Sequence, residues 1–172
     1  MVIEEYGIQM IFITLGSQKF QFNRILIAVD DFVNSGLIDE EIFAQIGYSD
    51  YRPRNFQYKE FLDRKEFSEI MDKADIVITH GGTGAIVGAL KKNKRVIAVP
   101  RRAKYREHVD DHQLQLVKEF QNLNLIYECD DCSKLVEAIK NVKAMHFNSY
   151  HSNTETYIKS ITAFLEKDKS GD

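Results

Sequence analysis

The chain has 172 residues, which suits one ordinary domain, and 44 % hydrophobic residues are enough for one sizeable core. With 23 basic and 26 acidic residues the formal net charge is −3, so there is no basic excess of the kind that indicates nucleic-acid binding. No apolar run approaches the roughly 18 residues of a membrane-spanning helix, Glu4 and Glu5 interrupt any signal peptide, and two cysteines are too few for a disulfide scaffold. We therefore expect a cytoplasmic, single-domain protein.

Short apolar runs alternate with segments of helical spacing along the chain. Residues 1–9 show no pattern and are predicted to be a leader or a strand extension, and residues 167–172 a frayed tail. Between them, residues 10–166 are predicted to form one domain. Its predicted strands are 10–15, 42–46, 55–58, 75–79, 95–99 and 124–127. Its predicted helices begin at Phe22 and after residue 84 and cover 67–71, 111–120 and the regions around 135–139 and 157–165. This alternation predicts an α/β fold with a single Rossmann-like, doubly wound parallel sheet.

The turn after strand 75–79 has the composition of an anion-binding turn. It reads, in order, His80, Gly81, Gly82, Thr83, Gly84 and Ala85, and it lies between a buried strand and a helix. Glycines let backbone N–H groups approach a ligand closely, and the helix N-terminus adds about half a positive charge. The combination suits a diphosphate, although the same glycines also fit a tight turn that needs them only for its conformation.

Other candidate site residues follow neighbouring strands. His80 can donate to a phosphate or sugar oxygen or act as a base, or it can simply bond a neighbouring carbonyl. The run 101–106 carries four cations and suits a pyrophosphate, an anionic membrane surface or a solvated basic loop. His112 and Gln113 begin the next helix at the same crevice, where polar side chains can recognise sugar hydroxyls.

Three further motifs give weaker signals. The histidines and aspartates at 108–112 lack a second ligand set, so we expect helix capping rather than metal binding. Cys129 and Cys132 have C-x-x-C spacing without a second pair, which favours a structural role. The glycines over 82–88 resemble a dinucleotide fingerprint, but they follow a mid-chain strand. Binding of NADP, with Arg101 and Arg102 on its 2′-phosphate, is therefore a minor alternative.

Three segments together resemble the C-terminal, donor-binding half of GT-B glycosyltransferases of family 28. They are residues 74–84, strand 96–100 and the Glu-His-Val-Asp-Asp-His-Gln run at 107–113. The chain is similar to the small soluble subunits of two-part enzymes, namely the eukaryotic subunit for the second N-acetylglucosamine transfer on dolichol pyrophosphate and bacterial exopolysaccharide or capsule subunits. Residues 12–16, 45–48 and 56–61 resemble the bacterial group.

This resemblance implies a UDP-sugar site. The first glycine loop, which is Gly16 and Ser17, and the turn 80–85 would contact the donor diphosphate. Residues 61–62 would lie near the base, and residues 112–113 would contact the donor sugar. Many relatives carry a glutamate for the ribose where this chain has Gly88. With His80 as the catalytic residue, the expected substrate-binding residues are Gly16, Ser17, Phe61, Leu62, Gly81, Gly82, Thr83, Gly84, Ala85, Arg101, His112 and Gln113.

A GT-B enzyme needs two facing Rossmann-like domains, and this chain has residues for one. We therefore expect a catalytic subunit that is active only as a heterodimer with a membrane-anchored, acceptor-binding subunit, which recruits it to the cytoplasmic face. The pair would transfer a sugar from a UDP-sugar to a polyprenyl-pyrophosphate-linked acceptor in exopolysaccharide or capsule synthesis. By family analogy the product is inverted and β-linked, and neither metal nor another cofactor is needed.

Two alternatives to this function stay open. The first is a non-catalytic enhancer of the same transferase, which the glycine at position 88 favours. The second is an NADP-binding reductase. Which sugar is donated is also open, because a few side chains distinguish UDP-glucose, galactose, glucuronate and N-acetylglucosamine.

Overall fold

A computed structural model describes residues 10–151, 156 and 158–163; the predicted leader, the tail and part of the last predicted helix lie outside these residues. In the described chain, six strands form one sheet in the order β3-β2-β1-β4-β5-β6, and every neighbouring pair is parallel. The strands are β1 (Met10–Thr14), β2 (Glu41–Gln45), β3 (Gln57–Lys59), β4 (Ile76–His80), β5 (Arg95–Val99) and β6 (Tyr127–Glu128). The predicted fold class is confirmed.

Helices form the crossovers between successive parallel strands, except between β2 and β3, which a long loop joins. They are α1 (Asn23–Asn34), α2 (Arg64–Lys73), α3 (Thr83–Lys91), α4 (His112–Asn122) and α5 (Leu135–Ala144), with 3₁₀ turns at Ala103–Tyr105 and Cys132–Lys134. Residues 158–163 are also helical. Helix α2 carries a full capping box, in which the Asp63 side chain accepts from the N–H of Glu66 and the Glu66 side chain accepts from the N–H of Asp63.

The sheet is covered on both faces. Because side chains alternate along a strand, Ile11 and Ile13 of β1 pack into one apolar layer with α1 and α5, and Phe12 packs into the other with α2, α3 and α4. Ile158 of the last helical segment is 1 % exposed and belongs to the second layer. The last helical segment thus packs on this domain through Ile158.

The topology defines a crevice at the carboxyl ends of the strands. The chain moves outward in one direction through β1, β2 and β3 and in the other through β4, β5 and β6, so the order reverses between β1 and β4. Ligands of open parallel sheets bind outside the carboxyl ends at such a reversal. The loop after β1 and the glycine turn after β4 are therefore neighbours.

A buried carboxylate fixes the long loop between β2 and β3. Asp30 of α1 accepts hydrogen bonds from the Tyr51 hydroxyl at 2.7 Å and from the N–H groups of Arg54 at 3.0 Å and Asn55 at 2.8 Å. Burial alone would raise the pKa of Asp30, but these hydrogen bonds outweigh it and hold the pKa below its usual range. Asp30 therefore stabilises the fold as a carboxylate.

Asp30→Asn is expected to lower the free energy of unfolding by about 1–3 kcal/mol at pH 7, because an amide nitrogen replaces one acceptor oxygen among several donors. The pKa of Asp30 is lower in the folded chain than the roughly 3.9 of an unfolded aspartate. Its contribution is therefore present above that value and is lost as the pH falls through the folded pKa. Urea titrations between pH 3 and 7 should show the gap between wild type and variant closing at acidic pH.

Asp31→Asn is the matched control, because Asp31 is the next residue of the same helix and is exposed. Its effect should stay within about 0.5 kcal/mol. Equal losses in the two variants, or a gap that does not change with pH, would contradict the role assigned to the Asp30 carboxylate.

Candidate functional site

A cavity of about 250 Å³ lies where the N-termini of α3 and α4 meet at the carboxyl edge of the sheet. We call it the α3–α4 cavity. On one side it is lined by residues 81–83, and on the other by His108, Asp110, His112 and Gln113. Gln18, Leu116 and Thr162 complete the lining, so the loop after β1 and the last helical segment also reach it. The predicted turn and the predicted helix start are thus brought together.

The glycine turn presents backbone N–H groups to this cavity. Helix α3 begins at Thr83, and its N-cap residue, Gly82, makes no side-chain capping hydrogen bond. The N–H groups of a first helical turn have no partner within the helix, and the helix dipole makes this end positive. The turn therefore has both the donors and the electrostatic potential to hold an anion.

His80 lies beneath the turn, although the sequence predicts it to be catalytic. It is 8 % exposed, and its Nδ1 is 3.4 Å from the Thr79 hydroxyl. A Cβ on Gly16 would lie 2.7 Å from Cε1 of His80, and one on Gly82 would come still closer to Nε2. Burial, together with the nearby charge of Arg101, lowers the pKa of His80 to about 4, so the ring is neutral at physiological pH. Its catalytic role stays a prediction, whereas its packing role is visible.

Arg101, which is predicted to bind the substrate, is a buried residue. It is 1 % exposed, and its guanidinium donates to the carbonyl oxygens of Leu15 at 2.5 Å and of Phe20, Gln21 and Glu107 at 3.2 Å each. Burial lowers the pKa of Arg101 to about 10, with Glu107 opposing that shift, so the group is still charged at neutral pH. Its N–H groups join the loop after β1 to the loop after β5 rather than pointing into the cavity.

Arg102 of the predicted basic loop is also fixed by pairing, through its backbone and its side chain. Glu107 is 1 % exposed and accepts from Nε of Arg24 at 2.7 Å and from the N–H of Arg102 at 2.9 Å. The Arg102 side chain pairs with Asp130 at 2.5 Å and Asp111 at 3.5 Å. Glu107 begins the 107–113 run that carries the family resemblance, but neither its pairing nor the role of Arg24 was predicted from the sequence.

The N-terminus of α4 is capped by an aspartate, as expected. Asp110 accepts from the N–H of His112 at 2.9 Å, whereas Asp111 accepts from the N–H of Ala103 at 2.9 Å and makes no capping bond. Among residues 10–151, 156 and 158–163, no group of three or more His, Cys, Asp and Glu side chains is arranged to hold a metal ion.

The first glycine loop sits directly against its neighbours. Gly16 has φ +75° and Gly47 has φ +57°, a region that favours glycine. A Cβ on Gly47 would lie 2.8 Å from the carbonyl oxygen of Gly16. Ser17, predicted to bind the diphosphate, is exposed next to this contact. The loops after β2, β1 and β4 are therefore in contact through backbone and through His80.

Two exposed aromatic rings stand at the outer end of the same edge. Tyr48 and Phe61 are 47 % and 44 % exposed, and their ring centroids are 5.2 Å apart in an edge-to-face arrangement. Phe61 was predicted to lie near the base, but Tyr48 was not among the predicted residues. The neighbouring Leu62 packs against the second apolar layer, and its N–H donates to Oε1 of Gln45 at 3.1 Å.

Helix α3 has an open glycine face. A Cβ on Gly84 or on Gly88 would meet no atom within 4 Å, and both residues are exposed. Ala85 is half-buried between them. Position 88, at which the family resemblance leads us to expect a ribose-binding glutamate, is thus accessible and sterically empty.

The two cysteines are free and buried. Burial raises the pKa of Cys129 to about 12 and that of Cys132 to about 11, so neither is a thiolate at neutral pH. Arg24 donates to Sγ of Cys132 at 3.2 Å. These surroundings agree with a structural role for the pair.

A second cavity, of about 370 Å³, lies at the opposite edge of the sheet. It is lined by residues that precede β4 and β5 and by residues 145–150. Because ligands of parallel sheets bind at the carboxyl edge, the smaller α3–α4 cavity is the candidate site.

The strand order and the glycine turn at the reversal of that order place the chain in the Rossmann-like class of α/β domains. Within that class, the chain belongs to the glycosyltransferase family 28 C-terminal domain family, whose profile matches residues 10–167.

Two curated relatives illustrate the similarity. The UDP-N-acetylglucosamine transferase subunit ALG13 of Candida glabrata is 34 % identical over 104 residues, which cover 59 % of this chain and 48 % of that protein. The human protein of the same name is 26 % identical over 126 residues, covering 69 % of this chain and 11 % of that protein. The chain thus matches about half the length of the first relative and about a tenth of the second.

Solved structures agree on the fold. A solution structure of ALG13 aligns with a TM-score of 0.57 and 18 % identity, covering 87 % of this chain and 94 % of that one. The glycosyltransferase of kitacinnamycin aligns with a TM-score of 0.61 and 18 % identity, covering 80 % of this chain and 35 % of that one. In the described part of this chain, no helix has the length and apolar character needed to cross a bilayer.

Proposed function

We propose that this chain is the UDP-sugar-binding subunit of a heteromeric glycosyltransferase. The observation that carries the proposal is the α3–α4 cavity, in which an uncapped glycine turn and a second helix N-terminus converge at the reversal of the sheet. Family membership agrees with this function, and the two curated relatives named above are subunits of UDP-N-acetylglucosamine transferases. We therefore propose UDP-N-acetylglucosamine as the donor.

The geometry supports a definite orientation of the donor. The diphosphate would take the N–H groups of residues 82–84, with Ser17 on its other side, and the sugar would lie towards His112 and Gln113. The uracil would lie towards Tyr48 and Phe61. Backbone donors and a helix dipole in this position would stabilise the UDP leaving group as negative charge develops on it. In this arrangement His80 acts by holding the glycine loops in place.

The acceptor side of the reaction is assigned to another polypeptide. The two curated relatives named above are each described as a subunit of a transferase, which supports a second polypeptide. We propose that a membrane-anchored partner holds a polyprenyl-pyrophosphate-linked acceptor at the cytoplasmic face. The resemblance of residues 12–16, 45–48 and 56–61 to bacterial subunits supports a setting in exopolysaccharide or capsule synthesis.

A non-catalytic enhancer is the second candidate, and one observation favours it. By the family resemblance, Gly88 stands where many relatives carry a ribose-binding glutamate, and it is exposed, with no atom within 4 Å of a Cβ placed on it. An enhancer need not bind nucleotide. The NADP alternative loses support, because Arg101 is buried and Arg102 is paired with Asp130.

Isothermal titration of the chain with UDP tests the proposal, with NADPH as the control ligand. We expect saturable UDP binding and an affinity about tenfold lower in Phe61→Ala, because stacking of a base on an aromatic ring contributes about 1–3 kcal/mol. Tyr105→Ala is the matched control, since Tyr105 is an aromatic of similar exposure, 48 %, outside the proposed base site. Its UDP affinity should match that of wild type.

Each outcome of the titration separates the candidates. Absence of UDP binding would favour the enhancer, and repeating the titration with the assembled pair would show whether a partner completes the site. Binding of NADPH with no UDP binding would overturn the transferase proposal. Equal losses in Phe61→Ala and Tyr105→Ala would place the base elsewhere.

A further inference from the structure

The side chain of Gln113 links the glycine turn to the end of β5. The N–H of Gly81 donates to Oε1 of Gln113 at 3.1 Å, and the N–H of Arg101 donates to the same oxygen at 3.0 Å. Gly81 also packs tightly here, because a Cβ on it would lie 2.7 Å from Cβ of Gln113. One side chain thus fixes the backbone positions of two loops that border the α3–α4 cavity.

The chemistry of the contacts determines how the amide of Gln113 is oriented. Both backbone partners are N–H donors, so the side-chain atom that faces them must be the carbonyl oxygen, and its two lone pairs are both used. The residue is 8 % exposed and lines the cavity. Within residues 10–151, 156 and 158–163, its Nε2 has no hydrogen-bond partner.

We propose that Gln113 is a positioning residue of the donor site. Its oxygen holds the glycine turn in the shape that binds the diphosphate, and its Nε2 is presented to the cavity as a hydrogen-bond donor only. The proposal rests on the function proposed above. It also narrows the ligand chemistry, because the atom that meets Gln113 must be an acceptor oxygen, either of the diphosphate or of the sugar.

Two substitutions separate the acceptor role from the donor role. Gln113→Glu keeps an oxygen for both backbone N–H groups and removes the Nε2 donor. Gln113→Met keeps the length of the side chain but removes both functions. Gln115→Glu and Gln115→Met are matched controls, because Gln115 is exposed on the same helix.

The primary measurement is hydrogen exchange of the Gly81 and Arg101 amides in the full chain, followed by NMR. We expect both amides to exchange as slowly in Gln113→Glu as in wild type, and at least about tenfold faster in Gln113→Met. If Gln113→Met does not fold, Gln113→Asn replaces it, since a side chain one methylene shorter does not reach both N–H groups. Unchanged protection of both amides without the glutamine oxygen would overturn the proposal.

Titration with UDP and with UDP-N-acetylglucosamine then tests the link to the site. If Gln113 positions the turn, the NMR chemical shifts of the backbone amides of residues 82–84 in the UDP-saturated state should differ between Gln113→Met and wild type. If the saturated chemical shifts are identical in the two proteins and the variant only needs a higher UDP concentration to reach them, Gln113 merely contacts the ligand. That result would overturn the positioning role.

In Gln113→Glu, loss of affinity for both ligands would place the acceptor oxygen in the diphosphate, and loss only for the sugar nucleotide would place it in the sugar. Equal affinities of wild type and Gln113→Glu for both ligands would refute the donor role. If wild type binds neither ligand, the proposed function fails for the isolated chain, while the exchange data still decide whether Gln113 fixes the turn.

Discussion

Arg101→Met should destabilise the chain by about 3 kcal/mol or more, the largest loss expected for any single substitution in the loops around the cavity. The variant keeps most of the apolar volume but removes the donors to the carbonyl oxygens of Leu15, Phe20, Gln21 and Glu107. Each buried acceptor left without a partner costs about 1–3 kcal/mol. Glu107 would also lose one of the cations near its buried carboxylate. The midpoint of urea unfolding measures the effect.

Lys104→Met is the control for charge, because Lys104 belongs to the same basic run but is exposed. We expect it to change the free energy of unfolding by less than about 0.5 kcal/mol. Arg101→Lys adds a second comparison: it keeps the positive charge but cannot span four carbonyl oxygens, so it should resemble Arg101→Met. Wild-type stability in Arg101→Lys would show that charge, and not the hydrogen-bond geometry, is what matters.

Gly82→Ala should have an effect opposite in sign to that of Gly84→Ala, two residues away. A Cβ at position 82 overlaps the ring of His80, whereas a Cβ at position 84 meets open space on α3. Overpacking costs about 1–3 kcal/mol, while replacing an exposed glycine within a helix by alanine stabilises by up to about 1 kcal/mol. Thermal unfolding of the two variants beside wild type is the measurement. Gly82→Ala should also weaken UDP binding, because the turn must shift.

A double-mutant cycle identifies His80 as the cause. In a His80→Ala background the ring is absent, so Gly82→Ala should lower the free energy of unfolding only slightly. The coupling energy between the two substitutions should exceed about 1 kcal/mol. If Gly82→Ala lowers the free energy of unfolding as much in that background as in wild type, the glycine is needed for some other reason, such as close approach of the diphosphate.

The fold was predictable because its elements are locally encoded. Strands β4 and β5 contain continuous apolar runs, at 76–78 and 96–99, and the predicted strand 95–99 matches β5. The outermost strands were less well placed: the run 124–127 predicted a strand where only Tyr127–Glu128 pair with β5. At a sheet edge, pairing depends on the neighbouring strand more than on local propensity.

The site was predictable only in part, for a related reason. The glycine turn and the start of α4 could be located, because turn composition and strand order determine their positions. The burial of Arg101 could not, since a cation in a polar loop looks the same whether it faces water or four carbonyl oxygens. The anchoring role of Glu107 and the proximity of Tyr48 to Phe61 likewise depend on contacts between segments distant in sequence.

The packing of His80 between two glycine loops has a consequence for how the sequence can vary. Because the ring occupies the space in which side chains at positions 16 and 82 would lie, these three positions cannot change independently. A descendant with alanine at position 82 would need a smaller residue at position 80, acquired earlier or at the same time. At position 16 the left-handed backbone keeps glycine in place even then. Mutational paths through this turn are therefore constrained, with position 80 changing before or together with position 82.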